Sequence, residues 1–289
     1  MKEAYYQVAG HVFVMETIPE EWSDDEWQQY EPFRTEATDE AVFRLRVEKG
    51  TANLEGAQEE MHQQDGAQEI VAGHLASGNS YYEFLHGGKR TLVLTTNHDY
   101  TQAKLCIEKE NRWCMNNAVM LIYALATADQ QTVLFHSSVI GYQGQGIMFL
   151  GKSGTGKSTH ARLWTEHVEG SELINDDNPV VRLIDGKPWV FGSPWSGVTP
   201  CYRNVKAPIR AFVQLTQAPH NKISRLKGIA AYATIVPSIT GKRWDRRQAD
   251  SLHDTENRLV QQTRVFHMEC LPDEEAARMC METVICENI

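Results

Sequence analysis

Long apolar runs, paired cysteines and positive charge are scarce in this chain of 289 residues. No hydrophobic stretch approaches the roughly 20 residues of a membrane span, so no spanning helix is expected. The start, Met1-Lys2-Glu3-Ala4-Tyr5-Tyr6, lacks the basic region, apolar core and small-residue cleavage site of a signal peptide, and the expected location is cytoplasmic. The six cysteines (Cys106, Cys114, Cys201, Cys270, Cys280, Cys286) form no Cys-x-x-Cys pair and are too sparse for a disulfide scaffold, so inert, buried thiols are expected. The eleven histidines show no zinc-ligand spacing. With 28 Lys and Arg against 38 Asp and Glu, the net charge of −10 argues against nucleic acid and against an anionic membrane as partners. A phosphate site on such a protein has to be local. Repeats and low-complexity tracts are absent too.

The most specific stretch present is Gly151-Lys152-Ser153-Gly154-Thr155-Gly156-Lys157-Ser158, which fits the Gly-x4-Gly-Lys-Ser pattern of a phosphate-cradling P-loop. Ahead of it, Ile147-Met148-Phe149-Leu150 is an unbroken apolar run of the kind a fully buried strand requires. Behind it, His160 to Val168 has no Gly or Pro and repeats apolar residues at Ala161, Trp164 and Val168, as one helix face does. A glycine loop between strand and helix turns backbone N–H groups and the positive helix end toward an anion. Lys157 then reaches the β- and γ-phosphates, and the Ser158 hydroxyl ligates Mg2+.

The expected fold class is α/β, with residues 1–110 as a mostly β N-terminal domain of unnamed role and 111–289 as the nucleotide-binding domain. In the first part, Val8 to Met15, Ala41 to Val47 and Tyr81 to Leu85 read as strands, and Gly87-Gly88 is a hairpin turn leading to Thr91–Thr95. The acidic stretch from Glu20 to Glu31 reads as a solvated helix or loop pinned by Trp22 and Trp27. Asn111 to Asp129 is a helix by its apolar spacing, and Val133 to Ile140 a strand. The turn from Gly141 to Gly146 makes that strand an antiparallel partner of the one before the loop. Val180–Ile184 and Trp189–Phe191 form a hairpin on Asp185-Gly186, and Ile209–Leu215 is a further strand. Helices are expected over 226–236, from the basic cluster Lys242–Arg247 to about Gln262, and after Pro272.

About twenty residues beyond Lys157, the short apolar stretch Leu173-Ile174-Asn175 ends in Asp176-Asp177, as a strand delivering a carboxylate to Mg2+ should. Adjacent carboxylates point different ways, so one can bind the metal while the other takes a hydroxyl proton. His136, on the strand paired with that of the loop, is placed to reach the phosphates or the acceptor. Arg203, Lys206 and the basic cluster around Arg243 are candidate clamps.

Together, His136-Ser137-Ser138, the turn, Phe149-Leu150, the loop with Thr159, and Asn175-Asp176-Asp177 resemble the catalytic core of the HPr kinase/phosphorylase family, and are similar to the ATP-dependent phosphoenolpyruvate carboxykinases that share it. The resemblance covers roughly residues 130–285. It implies a kinase transferring the γ-phosphoryl group of ATP, with Mg2+, to a hydroxyl of a small metabolite or a protein serine, and a homo-oligomer. It implies catalytic roles for Asp176, Asp177, His136 and Lys157, and nucleotide binding by Gly151, Ser153, Gly154, Thr155, Gly156, Lys157, Ser158 and Thr159. Mg2+ falls to Ser158 and Asp177. A carboxykinase-like lyase and a nucleotide-sensing binding protein are the alternatives. Against the first, Asn111 to Ala128 has no lysine where carboxykinases carry a metal-binding one upstream. In place of the glycine-rich substrate signature of HPr kinases stands Gly192-Ser193-Pro194-Trp195-Ser196-Gly197, and the acceptor is unidentified.

Overall fold

The computed structural model describes residues 1–18, 22, 24–197 and 199–286, and divides them into two compact units, Met1–Thr127 and Ala128–Ile289. The division follows the helix expected to open the second unit. That helix, α1 (Arg112–Thr127), packs on strands of the first.

In the first unit, β1 (Lys2–Val8), β2 (His11–Thr17), β3 (Phe43–Lys49), β4 (Gln58–Asp65), β5 (Gln68–His74), β6 (Ser80–His86), β7 (Lys89–Thr96) and β8 (Gln102–Ile107) form one sheet in the order β1-β2-β3-β8-β7-β6-β5-β4. The apolar run from Val8 to Met15 is divided between two strands, because Ala9 and Gly10 both take positive φ (51° and 81°) and close a hairpin between them. Inward-facing Phe13, Phe43, Leu45, Leu94 and Leu105 are fully buried, and α1 lies over β6 and β7 with Tyr123 Oη donating to Val8 O at 2.9 Å. Glu20 and Glu21 of the acidic stretch lie outside the described residues. Its tryptophans act as anchors: Trp22 and Trp27 are buried with ring centroids 6.1 Å apart, beside a 3-10 helix over Asp24–Phe33.

The second unit contains β9 (Thr132–Phe135), β10 (Ser137–Tyr142), β11 (Gln145–Leu150), α2 (Lys157–His167), β12 (Glu172–Asp177), β13 (Val180–Ile184), β14 (Lys187–Phe191), β15 (Lys206–Gln217), β16 (Lys222–Leu226), α3 (Gly228–Ile235), β17 (Ile239–Thr240), α4 (Arg246–Gln262), β18 (Arg264–Cys270) and α5 (Glu274–Cys286). Its sheet runs β12-β10-β11-β15-β14-β13-β9-β17, with β18 and β16 branching from the far half of β15. Both faces are covered, which is why β11 has no polar alternation. Ile147 and Phe149 pack under α2 and α5 with Trp164, Ala277 and Cys280, while Met148 and Leu150 pack under α3 and α4 with Ile235, Leu252 and Leu259.

The stretch expected as one strand from Val133 to Ile140 is broken at His136. A straight strand cannot serve two sets of neighbours, and here β9 pairs with β13 and β17 while β10 pairs with β11 and β12. Strands β11, β15 and β18 are mutually parallel, and β12, antiparallel to β10 as β11 is, runs the same way. The carboxyl ends of these four strands share one rim, the usual place for a ligand in an open α/β sheet. Among the described residues no helix is long and apolar enough to cross a membrane.

Candidate functional site

The loop Gly151–Gly156 leaves β11 at that rim. Gly151 has φ of +150°, and a Cβ there would stand 3.1 Å from the Thr155 side chain; Gly156 enters α2 with φ of +104°. Both are conformations L side chains rarely adopt, so glycine is required where the chain folds back over the helix start. No side chain caps α2, and its first N–H groups stay available to an anion. Thr155 Oγ1 ties the loop to Lys152 O at 2.6 Å, Ser153 and Ser158 are exposed, and Thr159 is half-buried.

Lys157 points back under its own loop. Its Nζ donates to Gly151 O at 2.9 Å, Lys152 O at 3.3 Å and His136 Nε2 at 2.9 Å. The ammonium has only protons to give, so Nε2 accepts and the ring proton sits on Nδ1, directed at Asp177 Oδ1 2.9 Å away. Asp177, His136 and Lys157 thus form one chain of hydrogen bonds. Burial lowers the pKa of Lys157, opposed by the charges of Asp177 and Asp176. The break between β9 and β10 is what frees the His136 ring for this position, and its backbone N–H is held by Ser238 O at 2.7 Å.

The two aspartates lie at the end of β12 in unlike surroundings. Asp176 is buried opposite Ser138 on β10, whose hydroxyl donates to Oδ1; Oδ2 is buried without a partner. Asp177 is one-third exposed, accepts from Asn178 Nδ2 at 2.8 Å as well as from His136, and has φ of +139°. Such strain in a non-glycine residue persists only where neighbours over-determine it, and it concentrates at functional positions. Here the neighbours are Ser193 to Gly197. Ser193 Oγ donates to Asn178 O at 2.6 Å, Asn175 Nδ2 donates to Ser193 Oγ at 3.2 Å, Asp177 bridges to Ser196, and Gly197 lies against the Asp177 Cβ.

Among the described residues no three His, Cys, Asp or Glu side chains make a metal cage. Magnesium needs none, since it takes one or two carboxylates and completes its shell with phosphate oxygens and water. The unpartnered Asp176 Oδ2 and the exposed Ser158 hydroxyl are donors of that kind, although Ser158 is not hydrogen-bonded to either aspartate.

The expected clamps are otherwise engaged. Arg203 holds Glu172 at 2.7 Å and Leu173 O, Arg243 holds the fully buried Glu256 at 2.6 Å, and Lys206 stands over the Trp189 ring. Three contributors were given no role from sequence, although Ser138 stood in the string that carries the resemblance. Ser138 acts through cross-strand pairing that no local pattern encodes. Asn178 directly follows the aspartates and was readable. Gln217, which donates to Gly154 O at 3.2 Å, comes from a strand end remote in sequence.

No family model and no curated protein matches the chain. Among solved structures it is similar to the Hpr(Ser) kinase/phosphatase from Coxiella burnetii, at 10% identity and a TM-score of 0.31, over 53% of this chain and 93% of that one.

Proposed function

We propose that the second unit is a phosphotransferase that uses ATP and Mg2+ to phosphorylate a hydroxyl on a small metabolite or a protein serine. The observation that carries this reading is the Lys157–His136–Asp177 chain running from the glycine loop to a strained, partly exposed carboxylate. Positioning and charge neutralisation do most of the work of phosphoryl transfer. The loop N–H groups, the start of α2 and Lys157 bind and orient phosphate. Asp177 accepts the proton of the incoming hydroxyl, and His136, fixed at its backbone by Ser238 and at its ring by Asp177 and Lys157, orients that carboxylate. The metal would be held by Asp176 with Ser158 rather than by the expected Asp177, because Asp177 already accepts from Asn178 and His136 while Asp176 keeps an unpartnered oxygen. A bound magnesium ion supplies charge neutralisation on the phosphates.

Separate measurements of binding and turnover test these roles. Lys157→Ala is expected to abolish nucleotide binding. Asp177→Asn is expected to keep ATP affinity within about threefold and to lose roughly 10²- to 10⁴-fold in turnover, the usual contribution of a general base. Wild-type turnover in both Asp176→Asn and Asp177→Asn would reduce the pair to a turn.

A further inference from the structure

Beside the glycine loop, on the α2 side of the sheet, a cavity of about 630 Å3 opens at the carboxyl ends of β15 and β18. It shares Thr155 and Gly156 with the loop, and its apolar walls are Leu163, Leu215, Pro219 and Leu271. We propose that this cavity takes the nucleoside of the phosphoryl donor and that it accepts adenine and guanine almost equally. The proposal rests on the reading of the loop as a phosphate site and adds which donors it admits.

Three observations carry it. The first is position: because the cavity and the loop have two residues in common, a ligand whose phosphates lie on the loop amides has its remaining part at the cavity mouth. The second is size, which falls within the roughly 300–1,000 Å3 typical of small-molecule sites. The third is chemistry. No lining side chain carries a formal charge, and the four polar ones, Thr155, Thr159, His160 and Gln217, are neutral donors or acceptors. The His160 ring is packed on Phe149 at 4.7 Å and takes the Trp164 indole N–H at 3.3 Å. Gln217 spends its amide protons on Gly154 O at 3.2 Å and Thr155 O at 3.5 Å, which leaves its carbonyl oxygen to accept. Adenine offers that oxygen its exocyclic amino group, and guanine its ring N–H and amino group. A site that selects one purine strongly needs buried polar groups left unpaired by the other. The Thr155 hydroxyl and the His160 ring already have partners within the protein, and threonine hydroxyls can turn to donate or to accept, so apolar walls with these groups and the Gln217 oxygen give no such penalty.

Calorimetric titration of the full chain with ATP, GTP and inorganic triphosphate, each with Mg2+, tests this. The expectation is ATP and GTP within about threefold of each other, and triphosphate at least tenfold weaker. Ala218→Trp, which fills the cavity, is expected to weaken both nucleotides at least tenfold and to leave triphosphate unchanged. Triphosphate binding as tightly as ATP would overturn the nucleoside assignment while sparing the loop. A preference for either purine beyond about thirtyfold would overturn the lack of base selection. If none of the three binds, the reading of the loop fails, and this inference with it.

Discussion

His160 sits one turn into α2, beneath the loop, and burial pushes its pKa down to about 4 from an ordinary 6.5. Because the folded state holds the ring neutral, the unfolded chain takes up the proton first as pH falls. Stability is therefore fully present above about pH 6.5 and is lost between there and pH 4, with about 2 kcal/mol gone by pH 5. Urea unfolding of wild type and His160→Gln at pH 7.5 and 5 checks this: the acid loss should shrink in the variant, and an equal loss in both would contradict it. At this scale the sequence was most informative where chemistry depends on spacing. The Gly-x4-Gly-Lys-Ser pattern and the spacing to the aspartates singled out Lys157 and Asp177, and the fold joins the two through His136. It was silent where chemistry depends on cross-strand register, as in the pairing of Ser138 with Asp176 that sets the two carboxylates apart.

Helices α3 and α4 are joined by a polar link. Glu256, fully buried on α4, accepts from Tyr232 Oη of α3 at 2.8 Å and from Arg243 at 2.6 Å, while Arg243 also donates to Val236 O. Arg243 is 38% exposed and Glu256 is 0% exposed, so the two deletions are unequal. Arg243→Ala leaves a buried carboxylate without its counter-charge and should cost about 3 kcal/mol. Glu256→Gln leaves an arginine able to turn to water and should cost about 1 kcal/mol. The reverse order in urea titrations would show that the pair is not held as described. The segment holding the aspartates has its own weak point. A Cβ on Gly192 would stand 2.0 Å from Arg203 O, so Gly192→Ala should destabilise by about 2 kcal/mol through forced backbone movement. Unchanged stability would mean that the loop yields freely. Hairpins were the elements most legible in sequence, since Asp185 and Gly186 have positive φ of 50° and 72° that few other pairs tolerate. The break at His136 was not legible, because each half of that apolar run is a good strand and only the sheet order shows that they serve different neighbours.

On the scale of the whole molecule, the α/β architecture was readable from the succession of an apolar strand, the loop and a helix. The boundary between units was not, since the face of α1 that identified it as a helix carries no label saying which sheet it covers. The second unit confines the loop, both aspartates, His136 and the cavity to one rim. ATP is therefore expected to slow amide exchange there: at the loop, at the end of β12 and along the cavity wall. Ligand at a hundred times its Kd stabilises by about 2.7 kcal/mol, and an exchange pattern untouched at these positions would place the nucleotide elsewhere. The most direct test of the account is transfer of label from γ-labelled ATP and Mg2+ into an extract of the cells that make the protein, separated into protein and small-molecule fractions, with Asp177→Asn as control. Label is expected in one fraction and is lost with the variant. Tight ATP binding with no label transferred to either fraction would contradict it, and would leave a nucleotide-sensing protein in its place.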